Sequence, residues 1–74
     1  MADRNNLVNH KQPSTYQTIN EEIDKLWKDN TLISGLYYIV ELVKLSYNLG
    51  NINENEAHEL VSKAVGLTGQ WKEI

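Results

Sequence analysis

The sequence predicts an all-α fold: a small three-helix bundle or helical hairpin assembly behind a flexible N-terminal arm, dimeric in solution. Three observations carry this expectation. Apolar residues recur at three- and four-residue spacing through three successive segments. Side chains suited to helix N-caps stand in front of the first and third segments. No segment holds the sustained apolar–polar alternation of a half-buried strand.

Length and composition set the frame. Seventy-four residues make one domain at most, and a core of this size supplies only about 3–5 kcal/mol, so small domains usually need a staple. Cysteine is absent, which removes disulfides and thiolate metal sites. His10 and His58 are far apart and neither has a cluster of carboxylates at ligand spacing. No metal, haem or other cofactor is expected. Association with a second copy or with another protein is the remaining route to stability.

The formal net charge is −3, with seven basic side chains scattered among ten acids. A phosphate-binding surface needs a clustered excess of Lys and Arg, so nucleic acid is an unfavoured partner. Residues 1–15 hold no apolar leader, and the apolar stretch 32–49 is interrupted by Glu41 and Lys44, which speaks against a membrane span. A cytoplasmic protein is expected, with no small-molecule substrate evident. The Asn- and Lys-rich composition suits an AT-rich phage or mobile-element genome.

The elements follow in order. Residues 1–13 show no period, are dominated by Asn, Gln and charge, and are closed by Pro13; they read as the flexible arm, with Leu7 and Val8 as its apolar handles. Residues 14–74 then form the single three-helix domain. Ser14 with Gln17, or Thr18 with Glu21, fits a capping box for the first helix. Tyr16, Ile19, Ile23, Leu26 and Trp27 fall on one face, and Glu21–Lys25 and Asp24–Lys28 are i,i+4 pairs in the favourable order. This helix is expected to end near Asp29–Asn30, although a continuous rod through the junction is an alternative.

The second helix is expected over 31–49, with Gly50 after it at the position where a positive φ costs nothing. Its β-branched and aromatic residues also suit a strand, but the apolar run is too long for one. The third helix has Asn53 as N-cap, Glu56 closing a capping box, and Ile52 with Ala57 as a hydrophobic staple. Ala57, Leu60, Val61 and Ala64 form its apolar face, and Gly66 is the expected stop. Trp71 and Ile74, in the tail, are expected to fold back onto the bundle.

The second helix is the informative one. On a helical wheel, Leu32, Ile33, Leu36, Ile39, Val40, Val43 and Tyr47 form a broad apolar face. Tyr38, Leu42, Leu45 and Leu49 form a second, opposite one. A narrow stripe of Ser34, Tyr37, Glu41, Lys44 and Asn48 runs between them. A helix that is apolar nearly all round needs covering on nearly all sides. Either the neighbouring helices cover both faces, or one face meets another chain. The third helix, built largely from small residues, is a poor cover. The expected interface residues are therefore Tyr38, Leu42, Leu45 and Leu49, joined by Trp27 and Trp71, because aromatic anchors favour interface centres.

The residues form no catalytic constellation. Gly35, Gly50, Gly66 and Gly69 are isolated and form no phosphate loop. His58 has Glu54 and Ser62 at four-residue spacing, which fits a solvated helix face. The acids Glu21–Glu22 and Glu54, Glu56, Glu59 sit in first turns, where they complement the helix dipole. Asn51, Asn53 and Asn55 alternate like calcium-loop ligands, but Glu56 replaces the required Gly and Ser62 the closing Glu. A helix-turn-helix is possible in outline; its recognition helix would begin with NENEAHE, three acids facing phosphate. The sequence thus points to a non-enzymatic protein–protein interaction module, an adaptor, inhibitor or regulator, with a helix-turn-helix-like DNA-binding regulator as the alternative.

Overall fold

The computed structural model describes residues 14–70. They form three helices: α1, Thr15–Lys28; α2, Leu32–Asn48; and α3, Glu54–Thr68. No strand occurs among the described residues, and the fold is an all-α three-helix bundle. The proposed arm at 1–13, and Trp71 and Ile74, lie outside the described residues. No helix among the described residues is long and apolar enough to cross a membrane.

Local chemistry sets each helix boundary. Ser14, in extended conformation, caps α1 by accepting the Gln17 backbone N–H on its hydroxyl at 3.1 Å. The helix stops at Asn30, whose φ of +64° is left-handed. The Asn30 N–H donates to the Trp27 carbonyl and the Thr31 N–H to the Leu26 carbonyl, at 3.0 and 2.8 Å. This pair of bonds is a Schellman motif with Asn in the left-handed position. It ends α1, so the continuous rod does not form.

The second connection repeats that solution. Gly50 has φ +81°; its N–H donates to the Tyr47 carbonyl, and the Asn51 N–H to the Ser46 carbonyl. In both turns the residue two places after the left-handed one is buried: Leu32 after Asn30, and Ile52 after Gly50. Each turn therefore reverses the chain and drives an apolar side chain into the core in the same step.

The two helices after these turns start differently. α3 has a complete capping box: the Glu56 N–H donates to Asn53 Oδ1 at 2.8 Å, and the Asn53 N–H to Glu56 Oε1 at 3.0 Å. α2 follows Thr31, whose side chain makes no cap bond, and has no acid in its first turn and no base in its last. Packing, rather than local signals, has to hold it. α3 also runs past Gly66 to Thr68, with Gly69 as C-cap, so Gly66 is not the stop that the sequence suggested. Nothing lies within 4 Å of where its Cβ would be.

Tyr16 contacts Glu59 and Asn20 contacts Lys63, both pairs separated by 43 residues, so α1 and α3 run parallel. α2 runs antiparallel to both, and all three helix pairs are in contact. The core is Ile19 and Ile23 from α1, Leu32, Ile39 and Val43 from α2, Ile52 from the turn, and Leu60 and Ala64 from α3. Ser46 is the one polar residue buried with them among the described residues.

Candidate interaction surface

In a triangular bundle each helix meets both neighbours along one sector. On α2 that sector holds Leu32, Ile39, Val43 and Ser46, all buried, edged by the half-buried Gly35, Leu36, Val40 and Leu42. Gly35 is the close approach to α1: a Cβ there would lie 3.1 Å from Leu26 Cδ1. Everything outside the sector faces solvent, apolar or not.

The result is uneven. The large apolar residues left exposed among the described residues are Ile33, Tyr37, Tyr38, Leu45, Tyr47, Leu49 and Val65. All but Val65 come from α2 and its C-cap. Tyr38, Leu45 and Leu49 are 53%, 56% and 66% exposed and share one side of the helix. Leu42 belongs to the same side but packs partly against the core. The sequence-derived stripe is thus three exposed residues, anchored by a fourth that also serves the fold.

The other expected interface residues lie elsewhere. Trp27 is half-buried and packs against the core from α1. It stands one turn beyond Asp24 and two beyond Asn20, the two residues that hold Lys63 of α3. It therefore lies on the flank of α1 that faces α3 and does not join the α2 stripe. Trp71 is outside the described residues. The broad face drawn on the wheel is also divided: Ile33 and Tyr47 are exposed although they share it with Leu32 and Val43. A wheel shows which residues are adjacent; the position of the neighbouring helices determines which are covered.

Tyr47 opens onto a second feature, a groove of about 340 Å³ between α2 and α3. Val43, Tyr47, Ala57 and Val61 line it together with Lys44, Glu54 and His58. His58 and Glu54, paired in the sequence by spacing, both reach this groove from the exposed side of α3. Among the described residues no group of three or more His, Cys, Asp or Glu could hold a metal ion.

Electrostatics does little on the α2 stripe. Glu41 and Lys44, beside it, pair with each other at 3.6 Å and remain largely solvated. The polar contacts of longer range tie α1 to α3. Lys63 Nζ reaches Asp24 Oδ1 at 2.7 Å and Asn20 Oδ1 at 2.6 Å. The Tyr16 hydroxyl donates to Glu59 Oε1 at 2.9 Å. That hydrogen bond raises the Tyr16 pKa, with loss of hydration and the negative charges of Glu59 and Glu56 adding to the effect. These contacts join α1 to α3, and the sequence carries no local signal for them because the paired residues are 39 (63 − 24) or 43 positions apart.

Compared with known proteins, the chain matches no family model, and no curated protein or solved structure is significantly similar to it.

Proposed function

We propose that this chain is a small, non-enzymatic interaction module, an adaptor, inhibitor or regulator that acts by docking the apolar side of α2 against another polypeptide. The observation that carries the reading is the exposure of Tyr38, Leu45 and Leu49 together on one side of α2. Single exposed apolar residues are ordinary, but a contiguous set marks a contact surface. Tyr38 belongs to it, and tyrosine combines a large apolar area with a polar tip that tolerates water in the free state.

The DNA-binding alternative gains nothing from the surface charge. Glu54 and Glu59 are exposed on α3, which would be the recognition helix, and Glu56 is engaged in its cap. They would meet phosphate with the wrong sign.

The test compares wild type with Leu45→Glu and Leu49→Glu, two exposed positions where a carboxylate costs the fold little. A binding partner retained by wild type and lost by both variants, at unchanged thermal stability, supports the reading. A partner bound equally by all three removes α2 as the surface.

A further inference from the structure

We infer that the apolar side of α2 pairs with the same side of a second copy, antiparallel, about a two-fold axis. The inference rests on the interaction reading above and names the partner.

α2 carries two seams of coiled-coil type. One, Leu32, Leu36, Ile39, Val43 and Ser46, steps by four, three, four and three residues and packs within the chain. The other, Tyr38, Leu42, Leu45 and Leu49, steps by four, three and four. Alternating steps of three and four residues keep a stripe facing one partner helix along its length. The first seam has its partners in α1 and α3. The second has none among the described residues beyond the inner edge of Leu42.

The spacing of the second seam suits an antiparallel second copy. Four, three, four reads the same in both directions. An antiparallel copy therefore sets Tyr38 against Leu49 of the second chain and Leu42 against its Leu45, then repeats both layers in reverse. A two-fold interface requires this self-complementarity, in which one residue meets another and the second returns the contact. The charges agree. In that register Glu41, on the solvent flank of the seam, faces the neutral Asn48 amide of the other copy rather than a second carboxylate. Lys44 lies one turn along and already pairs with Glu41. The antiparallel arrangement also opposes the two helix dipoles.

Size places the dimer at the weak end. One seam of four side chains per chain covers less than the roughly 800 Å² per partner of a standard interface, so micromolar rather than nanomolar association is expected.

The experiment uses the full chain. Sedimentation equilibrium from about 5 to about 500 μM should carry the mass from the 8.5 kDa monomer towards twice that value, spanning a micromolar dissociation constant. Leu45→Glu and Leu49→Glu should each remain monomeric through the same range with unchanged helix content. Because the chain has no cysteine, register can be read directly. Mixing the Tyr38→Cys and Leu49→Cys chains in a thiol–disulfide buffer should enrich the mixed disulfide above its statistical share. A wild type that stays monomeric overturns the inference, as does a dimer that survives both glutamate variants. So does a preference for the two like-with-like disulfides, which is the parallel outcome. If the chain is monomeric yet still captures a partner through Leu45 and Leu49, the interaction reading stands and only the second copy is lost.

Discussion

The Tyr16 hydroxyl donates to Glu59 Oε1 at 2.9 Å, joining the first turn of α1 to the second turn of α3. The bond needs a protonated phenol, and the acceptor's charge holds that proton, so the Tyr16 pKa lies above its ordinary value of 10.0. A group whose folded-state pKa is raised contributes its full stabilisation below the unfolded value and loses it as pH rises through the folded one. Stability is therefore expected to fall as pH climbs above about 10. Urea melts of wild type and Tyr16→Phe should show the difference between the two proteins at neutral pH shrinking in the alkaline range. A difference independent of pH would mean that the phenol proton plays no part.

The capping box of α3 gives a second prediction. Asn53→Ala removes the acceptor for the Glu56 N–H and should cost about 1 kcal/mol, while Glu56→Ala removes the reciprocal bond and should cost less because alanine is the better helix former. In a domain with only a few kcal/mol in hand, that loss should be visible as several degrees in the melting temperature.

Glycine substitutions should separate by position. Gly66→Ala, in a helix with open space around the new methyl group, should stabilise by about 0.5–1 kcal/mol. Gly50→Ala, at φ +81°, should destabilise by about 1–2 kcal/mol, since the left-handed turn that ends α2 would carry a Cβ. Thermal melts of the two single variants should move in opposite directions.

Two substitutions at Ser46 test the core. This side chain is 5% exposed, the one buried polar side chain among the described residues. Ser46→Ala should be neutral or stabilising, because it removes a hydroxyl from a buried site. Ser46→Leu should cost about 1–3 kcal/mol by overpacking. For comparison, Ile39→Ala should cost about 2–5 kcal/mol, enough to leave much of the protein unfolded. Chemical denaturation of all three resolves these ranges.

Leu42 and Leu45 form the sharpest contrast on α2. Both belong to the outer stripe, but Leu42 also packs on the core while Leu45 is 56% exposed. Leu42→Glu should lower the melting temperature of the monomer, because it places a carboxylate against apolar neighbours. Leu45→Glu should leave it within about 0.5 kcal/mol of wild type. Circular dichroism melts at low concentration distinguish the two.

Helix content, most helix boundaries and the caps of α1 and α3 were legible from local signals, whereas the end of α3 at Thr68 rather than Gly66 was not. Ser14, Asn53 with Glu56, and Gly50 each act through neighbours within a few residues, so their roles are encoded where they stand. Asn30 was placed at the end of the first helix for the same reason. Its left-handed backbone is what excluded the continuous rod. The exposure of Tyr38, Leu45 and Leu49 was legible too, from an excess of apolar surface on one helix.

The rest required the tertiary arrangement. Periodicity marks which residues of α2 are adjacent, but not the directions from which α1 and α3 approach. Those directions bury Ser46, expose Ile33 and Tyr47, and turn Trp27 toward α3. The contacts of Lys63 with Asp24 and Asn20, and of Tyr16 with Glu59, join residues far apart in the chain and leave no local pattern. The sequence by itself determined three helices, the first and third capped by side chains, and an over-supply of apolar surface on the second. Only the packing of three helices around a single core decided which part of that surface is spent on folding and which is left facing outward, because a triangular bundle covers each of its helices along one sector.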